Sequence, residues 1–370
     1  MSRAVPRPLP FRLAGLATLI AKPIPLDDWA QRVRVPHRGR PGQCLDGAMM
    51  HRILGIHAKS WNPDLFADID TIAELGRRAV ASAGLTPDQV DAAIVVSCTP
   101  YELMLDQDAF RLIRRIGLPD DVLPVQMAAG CAGPARAITL ASKMDARRVL
   151  IITYTVPSRA SGDGDGGIND LYRTNSVHPD GDSVWSSPGI FSDGAAALVL
   201  DRTDTDVGMA FYSRDTDEFA EDPLIHYPGG GLNHAPGTPG AAEMAVFGMD
   251  SKGIAHFYRT AMMFNHRDLD AALPGYVEKV RRIYTHQANP ALVDAFHQLA
   301  GLDEDKAPTN ARRFGNLVTV STMQMLHDDV AEGRVGNGDL ICLSVVGGGP
   351  ERGAVLATVD IPHPVAPRIQ

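Results

Sequence analysis

Hydrophobic positions along this chain follow two periods. Continuous runs rich in aliphatic residues at Ala92–Cys98, Arg148–Thr155, Ala195–Leu200, Leu340–Val346 and Ala354–Val359 predict buried strands. Between them, apolar residues recur at helical spacing over Ile69–Ala83, which stops at Gly84, and over Ala109–Ile116. The same spacing runs from Ala135 through Ile138 to about Met144, and over Gly253–Phe264, Ala291–Leu299 and the stretch from Asn316 to about Glu332. Phe11–Ile20 predicts the first strand; with Arg12 inside it and no clear cleavage site, it does not read as a leader for export. Val122–Gln126 predicts a short buried strand whose pairing Pro124 leaves open, and Val280–Tyr284 predicts another. Strands alternating with helices throughout imply layered α/β packing.

Two stretches break the alternation. Pro157–Gly189 is rich in Gly, Asp and Ser, and Arg214–Ala245 in Gly, Pro and acidic residues; neither has a period. In the first, Asp163 and Asp165 lack the downstream glutamate of a calcium loop, its place falling on Thr174, so no calcium site is expected.

Composition narrows the class without naming a reaction. The 370 residues are long enough for a large core, and 45% hydrophobic with 21% charged residues describes a soluble globular protein. A net charge of −9 argues against nucleic acid, while a local arginine patch could still receive an acidic protein. Cys44, Cys98, Cys131 and Cys342 show neither metal spacing nor a disulfide framework, which fits a reducing cytoplasm. No run approaches the ~18 apolar residues of a membrane span.

Three strand-to-helix or loop-to-helix junctions carry candidate chemistry. Met127-Ala128-Ala129-Gly130-Cys131-Ala132-Gly133 places a thiol where a helix begins, against unpaired amides that favour a thiolate. Tyr284-Thr285-His286-Gln287-Ala288-Asn289-Pro290 places a histidine after a strand, and Arg313-Phe314-Gly315-Asn316 an asparagine before a helix. Histidine can move a proton or donate a hydrogen bond, and an asparagine amide donates without titrating. Alone, each is more often a buried thiol, a cap or a turn residue. Together they form a Cys–His–Asn set at the rim of a sheet, where α/β folds place ligands.

With these motifs in order, the chain resembles the β-ketoacyl-acyl-carrier-protein synthase III family of thiolase-fold condensing enzymes. The matching segments are Ala128–Gly133, His286-Gln287-Ala288-Asn289, Gly315-Asn316, Phe191–Ala197, Tyr227–Gly231 and Gly347-Gly348-Gly349, and His286 and Asn316 stand 30 positions apart, as in the family. The resemblance covers about residue 10 to residue 360. It implies two pseudo-repeated α/β halves in five αβαβα layers: residues 1–205 carrying the nucleophile and 206–370 carrying His and Asn. It also implies a cytoplasmic homodimer that takes coenzyme A or acyl-carrier-protein thioesters and needs no further cofactor and no metal. Cys131 would hold the acyl group, with the Cys131 and Gly348 amides as oxyanion hole. His286 and Asn316 would stabilise the enolate formed when a malonyl thioester loses CO2.

Several segments depart from the pattern. Asn316 is followed by the bulky Leu317-Val318-Thr319-Val320-Ser321, and the region near Gly55-Ile56 offers only His57 and Lys59 where arginines are usual. That favours a carrier-protein donor over coenzyme A. Tyr101-Glu102-Leu103-Met104-Leu105-Asp106 replaces a stretch that approaches the partner's acyl pocket, and Pro157–Gly189 is longer than its counterpart, either a solvated loop or a lid over the acyl tunnel. The changes imply a specialised biosynthetic member. Acyl transfer from Cys131 to a hydroxyl or amine, and a non-catalytic subunit, stay open beside condensation; retention of Asn316 favours condensation.

Overall fold

The computed structural model describes residues 4–103, 107–175, 177–214, 223–363 and 365. The strands are β1 (Arg7–Pro8), β2 (Phe11–Ile20), β3 (Ala92–Ser97), β4 (Leu123–Ala128), β5 (Arg148–Thr155), β6 (Gly194–Arg202), β7 (Gly208–Ser213), β8 (Ile225–His226), β9 (Gly248–Met249), β10 (Ile283–Thr285), β11 (Leu340–Gly347) and β12 (Glu351–Thr358), apart from a small hairpin at residues 23–25 and 58–60. The principal helices are α1 (Asp70–Ser82), α2 (Gln107–Ile116), α3 (Gly133–Ala141), α4 (Ser251–Ala272), α5 (Pro290–Ala300) and α6 (Ser321–Ala331).

Two five-stranded sheets run in the orders β2-β6-β5-β3-β4 and β1-β7-β12-β11-β10. Four strands repeat the same senses: β2, β6, β5 and β3 correspond to β7, β12, β11 and β10, antiparallel twice and then parallel. The chain passes from one sheet to the other between Arg202 and Gly208, while β1 reaches back to pair with β7.

Layering follows from the two-residue period of the strands. Ile94 and Val96 of β3 share one core with Ala137 and Ile138 of α3, Met323 and Leu326 of α6, and Leu343 and Val355 of the second sheet. Ala93 and Val95 point the other way, against α1 and α2. On the far side, Cys342 and Leu356 pack with Phe257 and Met262 of α4 and Phe296 of α5. Helices therefore lie between the sheets and outside both, which gives five layers. Among the described residues, no helix is long and apolar enough to cross a membrane.

Three expectations change. The strand at Val122–Gln126 is β4, an edge strand paired in parallel with β3 and only partly buried, and the edge position is what lets it hold Pro124. The helix at Gly253–Phe264 runs over the whole of α4, and β7 lies where no strand was expected. Pro157–Gly189 is a packed element, not a solvated loop. Ile168, Tyr172, Val184 and Trp185 build a fourth apolar cluster with Trp29, Trp61 and Leu54. The Gly162–Gly167 turn is closed by Asp163, which accepts from the amides of Asp165 and Gly167 (both 2.9 Å) and pairs with Arg173 at 3.0 Å.

Lys59 anchors this element. It is fully buried, with Nζ 4.2 and 4.3 Å from the ring centres of Trp29 and Trp61. Its ammonium donates to the carbonyls of Pro188, Gly189 (3.1 Å) and Phe191 (2.9 Å). Burial drives its pKa well below the ordinary lysine value, against the pull of Asp193. Lys59 is thus enclosed and cannot reach a nucleotide. Lys59→Ala leaves three buried carbonyls without that donor; we expect a loss on the order of 3 kcal/mol or more, measured by urea unfolding, with Lys59→Met restoring only the packing share.

Candidate active site

Local backbone contacts set the position of each junction residue. Past the end of β4, the Ala129 amide donates to Ser97 (3.3 Å), and the Gly133 amide turns back to Gly130 (2.8 Å). A side chain on Gly133 would come within 2.6 Å of Val96, so only glycine lets α3 start this close to β3. Cys131 lies just outside that helix, with Pro134 in its first turn.

His286 extends the parallel ladder of β10. Its amide donates to Ser344 (2.8 Å), and its carbonyl accepts the Tyr258 hydroxyl (2.6 Å). Its neighbours in the tetrad are structural: Gln287 accepts the Asn310 and Ala311 amides (3.1 and 3.3 Å), and Asn289 caps α5 through the Leu292 amide (2.9 Å).

Asn316 is held on both sides of its peptide. Its amide donates to Ile190 and its carbonyl accepts from Ser192, both at 2.9 Å. Gly315 has φ 72°, and a Cβ there would lie 2.3 Å from Ser192 Oγ. The Asn316 side-chain oxygen accepts the Val318 amide (2.8 Å), which leaves its NH2 free to donate, and Asn316 favours the Cys131 thiolate. Val318 achieves this at φ 53°, a left-handed conformation unusual for a β-branched residue and costing about 1–3 kcal/mol.

The three side chains line one cavity of about 320 Å³, together with Gly348. A second cavity of about 140 Å³ lies beside it and shares Cys131, Phe191, Ile225 and Gly348, adding Cys98, Thr155, Val318 and Glu351. The Gly348 carbonyl accepts from Leu224 (2.6 Å) and Ile225 (3.2 Å), and a side chain there would strike Ile225 at 2.5 Å. Among the described residues, neither the Cys131 nor the Gly348 amide donates to another backbone carbonyl.

Burial dominates the electrostatics. It lowers the His286 pKa to about 3, so the imidazole is neutral at physiological pH, and Nδ1 has no hydrogen-bond partner. It also raises the Cys131 thiol, with Cys98 and Glu351 adding to the shift, against the Cys131 amide and Asn316. The helix start therefore favours the thiolate less than the junction alone implied.

Sequence reading missed Tyr258, Glu351 and the strain at Val318. Glu351 was legible as the one acid beside the Gly347–Gly349 turn; the conformation of Val318 left no trace in the letters. Cys98 sits just past the end of β3 on the wall of the second cavity, whereas Cys342 is enclosed within β11. His57 stacks on His51, ring centres 4.5 Å apart. Tyr101 donates to the Phe66 carbonyl (2.8 Å), and Met104–Asp106 lie outside the described residues.

Comparisons with known proteins point to one family. The profile of the family described as 3-oxoacyl-[acyl-carrier-protein (ACP)] synthase III C terminal matches residues 275–359. The β-ketoacyl-[acyl-carrier-protein] synthase III of Mesorhizobium japonicum is 31% identical over 310 residues, spanning 78% of this chain and 85% of the relative. That of Rhizobium rhizogenes is 30% identical over 307 residues, with 78% and 84% covered. Among solved structures, 3-oxoacyl-(acyl carrier protein) synthase III from Pseudomonas aeruginosa superposes with TM-score 0.73 at 20% identity, covering 98% of this chain and 100% of that one. The priming β-ketosynthase of the R1128 polyketide pathway gives 0.74 at 19% identity, with 98% and 100% covered. At those identities the structures show the shared thiolase fold.

The neutral His286 has a measurable consequence. Its folded pKa lies below the unfolded value, so it costs no stability above pH 6.5 and destabilises the native state as pH falls toward about 3. Relative to His286→Gln, the wild type should lose on the order of 3 kcal/mol between pH 7 and pH 4, read from urea midpoints. Parallel pH dependence of the two proteins would contradict a neutral, buried His286.

Proposed function

This chain belongs to the β-ketoacyl-[acyl-carrier-protein] synthase III family, and from that premise we propose that it is self-acylated on Cys131 and condenses the acyl group with a malonyl-type thioester. The observation that carries the proposal is the convergence of Cys131, His286 and Asn316 on one cavity, with a second cavity opening from the same thiol. The acyl group rests in one while the thioester arm that delivers the extender occupies the other.

In the first half-reaction the Cys131 sulfur attacks an acyl thioester, the carrier thiol leaves with the proton, and the oxyanion sits between the Cys131 and Gly348 amides. Each such donor contributes roughly 3–4 kcal/mol to the transition state. In the second, the malonyl carboxylate departs as CO2 and its electron pair becomes an enolate. That charge falls on an oxygen facing the His286 imidazole and the Asn316 amide, two neutral donors suited to a site that excludes charge. The enolate carbon attacks the Cys131 thioester, the C–S bond breaks, and a β-ketoacyl thioester leaves the Cys131 thiolate, which takes a proton from solvent to restore the thiol. The substrates are coenzyme A or acyl-carrier-protein thioesters, with the carrier protein preferred because Lys59 is enclosed, and the working unit is a homodimer.

A second reading has one observation in its favour. Glu351 reaches the wall of the second cavity, where it accepts the Tyr212 hydroxyl at 2.5 Å and could receive a proton from a hydroxyl or amine acceptor. Acyl transfer would then replace condensation and leave Asn316 without a role.

Intact mass after incubation with acyl thioesters should show one acyl adduct on wild type and none on Cys131→Ala; equal labelling would refute the nucleophile. His286→Ala and Asn316→Ala should slow loss of CO2 by roughly 100- to 1000-fold while self-acylation persists. Isotope-labelled malonyl thioester offered to the acyl-enzyme decides between the readings. We expect labelled carbon in the product and one CO2 released for each; an unlabelled acyl product without CO2 would identify an acyltransferase.

A further inference from the structure

Beyond the Cys131, His286 and Asn316 set, three side chains converge on a space the backbone leaves open, and one of them, His226, also lines the smaller cavity. His178 and Asp180 come from the packed 157–189 segment and His226 from β8. Asp180 Oδ2 lies 3.7 Å from His178 Nδ1 and 3.6 Å from His226 Nε2, and the three residues offer ligand atoms all within 4.8 Å of one another. The two imidazoles are nearly parallel, their centres 5.4 Å apart.

Two of these groups are buried without a hydrogen-bond partner. His178 is 2% exposed; its Nδ1 accepts the Asp180 amide at 3.1 Å, while Nε2 has no partner. Asp180 Oδ2 has none either. Native proteins ordinarily satisfy such buried atoms with an ion or a water. Gly248, on the strand paired with β8, faces the same point: a Cβ there would lie 2.1 Å from Asp180 Oδ2, 2.5 Å from His178 Cε1 and 2.7 Å from His226 Nε2. A glycine at that position keeps the point of convergence free.

We propose that His178, Asp180 and His226 bind a divalent transition-metal ion of the zinc class. Two imidazoles and one carboxylate suit such an ion, whereas calcium and magnesium demand oxygen sets. Ligands about 2.0–2.2 Å from a tetrahedral centre stand about 3.3–3.6 Å apart, as Asp180 Oδ2 and His226 Nε2 do at 3.6 Å. Coordination through Nε2 moves the His178 proton to Nδ1, so the contact with the Asp180 amide opens as the ion enters. Burial favours the neutral His178 that coordination requires. The ion ties the 157–189 segment to β8. Ile225 and Tyr227, which flank His226 there, line the cavities beside Cys131, so it acts on the walls and not on the reacting atoms.

Chelator-stripped full-length protein titrated with cobalt(II), and competed with zinc, tests the site. Wild type should take up one ion per chain with the visible bands of a nitrogen–oxygen tetrahedral centre. Asp180→Asn and His226→Gln should each weaken uptake more than about tenfold, and Gly248→Ala should abolish it while keeping all three ligands. Circular dichroism checks that each variant is folded; if Gly248→Ala is not, the two ligand variants decide. No stoichiometric uptake by wild type, unchanged uptake in both ligand variants, or sulfur-to-cobalt charge-transfer absorption would each overturn the proposal.

Discussion

Two backbone hydrogen bonds between Asn316 and the Ile190–Ser192 strip hold the site together. The strip leads into β6 of the first sheet, and Asn316 leads into α6 between the sheets, so the bridge locks one half of the fold to the other. Cys131 follows β4 of the first sheet, and His286 follows β10 of the second. Their convergence depends on that lock. Glycine at 315 permits the approach, and the Val318 amide then fixes which end of the Asn316 side chain faces the thiol. The strained Val318 backbone persists because the surrounding core, where Leu317 and Val320 are fully buried, leaves no other path.

Depth supplies the chemistry. At the end of a buried parallel ladder, an imidazole keeps its proton count at one and a thiol resists ionisation. Both effects suit the proposed condensation, whose charges would appear only in passing: an oxyanion at the acyl carbon, then an enolate. Neutral donors aimed at those positions would stabilise them without the desolvation cost of a buried ion. The same depth opposes the resting thiolate, so the helix start at Gly133 and the Asn316 amide count as partial compensation.

Much of the fold, and the candidates Cys131, His286 and Asn316 that line one cavity, was legible in the letters. β5 coincides with its apolar run because both faces of that strand are covered, and the three junction residues sit where strand signals meet helix signals. What sequence could not show was partnership across the chain. Lys59 read only as the nearest base after Gly55-Ile56, and nothing in the letters showed the two tryptophans and three carbonyls that enclose it. The 157–189 segment lacked a period because its apolar residues are spaced by turns and short helices, although Ile168 and Tyr172 are fully buried. β4 carried a core-like composition but stands at the edge of its sheet, where Pro124 forfeits no ladder bond.

That segment also decides how a remodelled member of this fold would set selectivity. A lid needs an element with few buried contacts, able to open at small cost. Here Lys59 holds the carbonyls of residues 188, 189 and 191, Trp61 donates to Gly166 (3.0 Å), and Asn316 grips the strip between Ile190 and Ser192. Opening it would break the lock on which the Cys–His–Asn geometry rests. The segment is therefore a wall. Ser186 and Ile190 face the larger cavity, Pro157 the smaller, and neighbouring Phe191 faces both. Selection by a wall works through shape and polarity already present before the substrate arrives, so changes of acyl preference in this lineage should come from residues such as Val318 and Glu351, not from hinge motion.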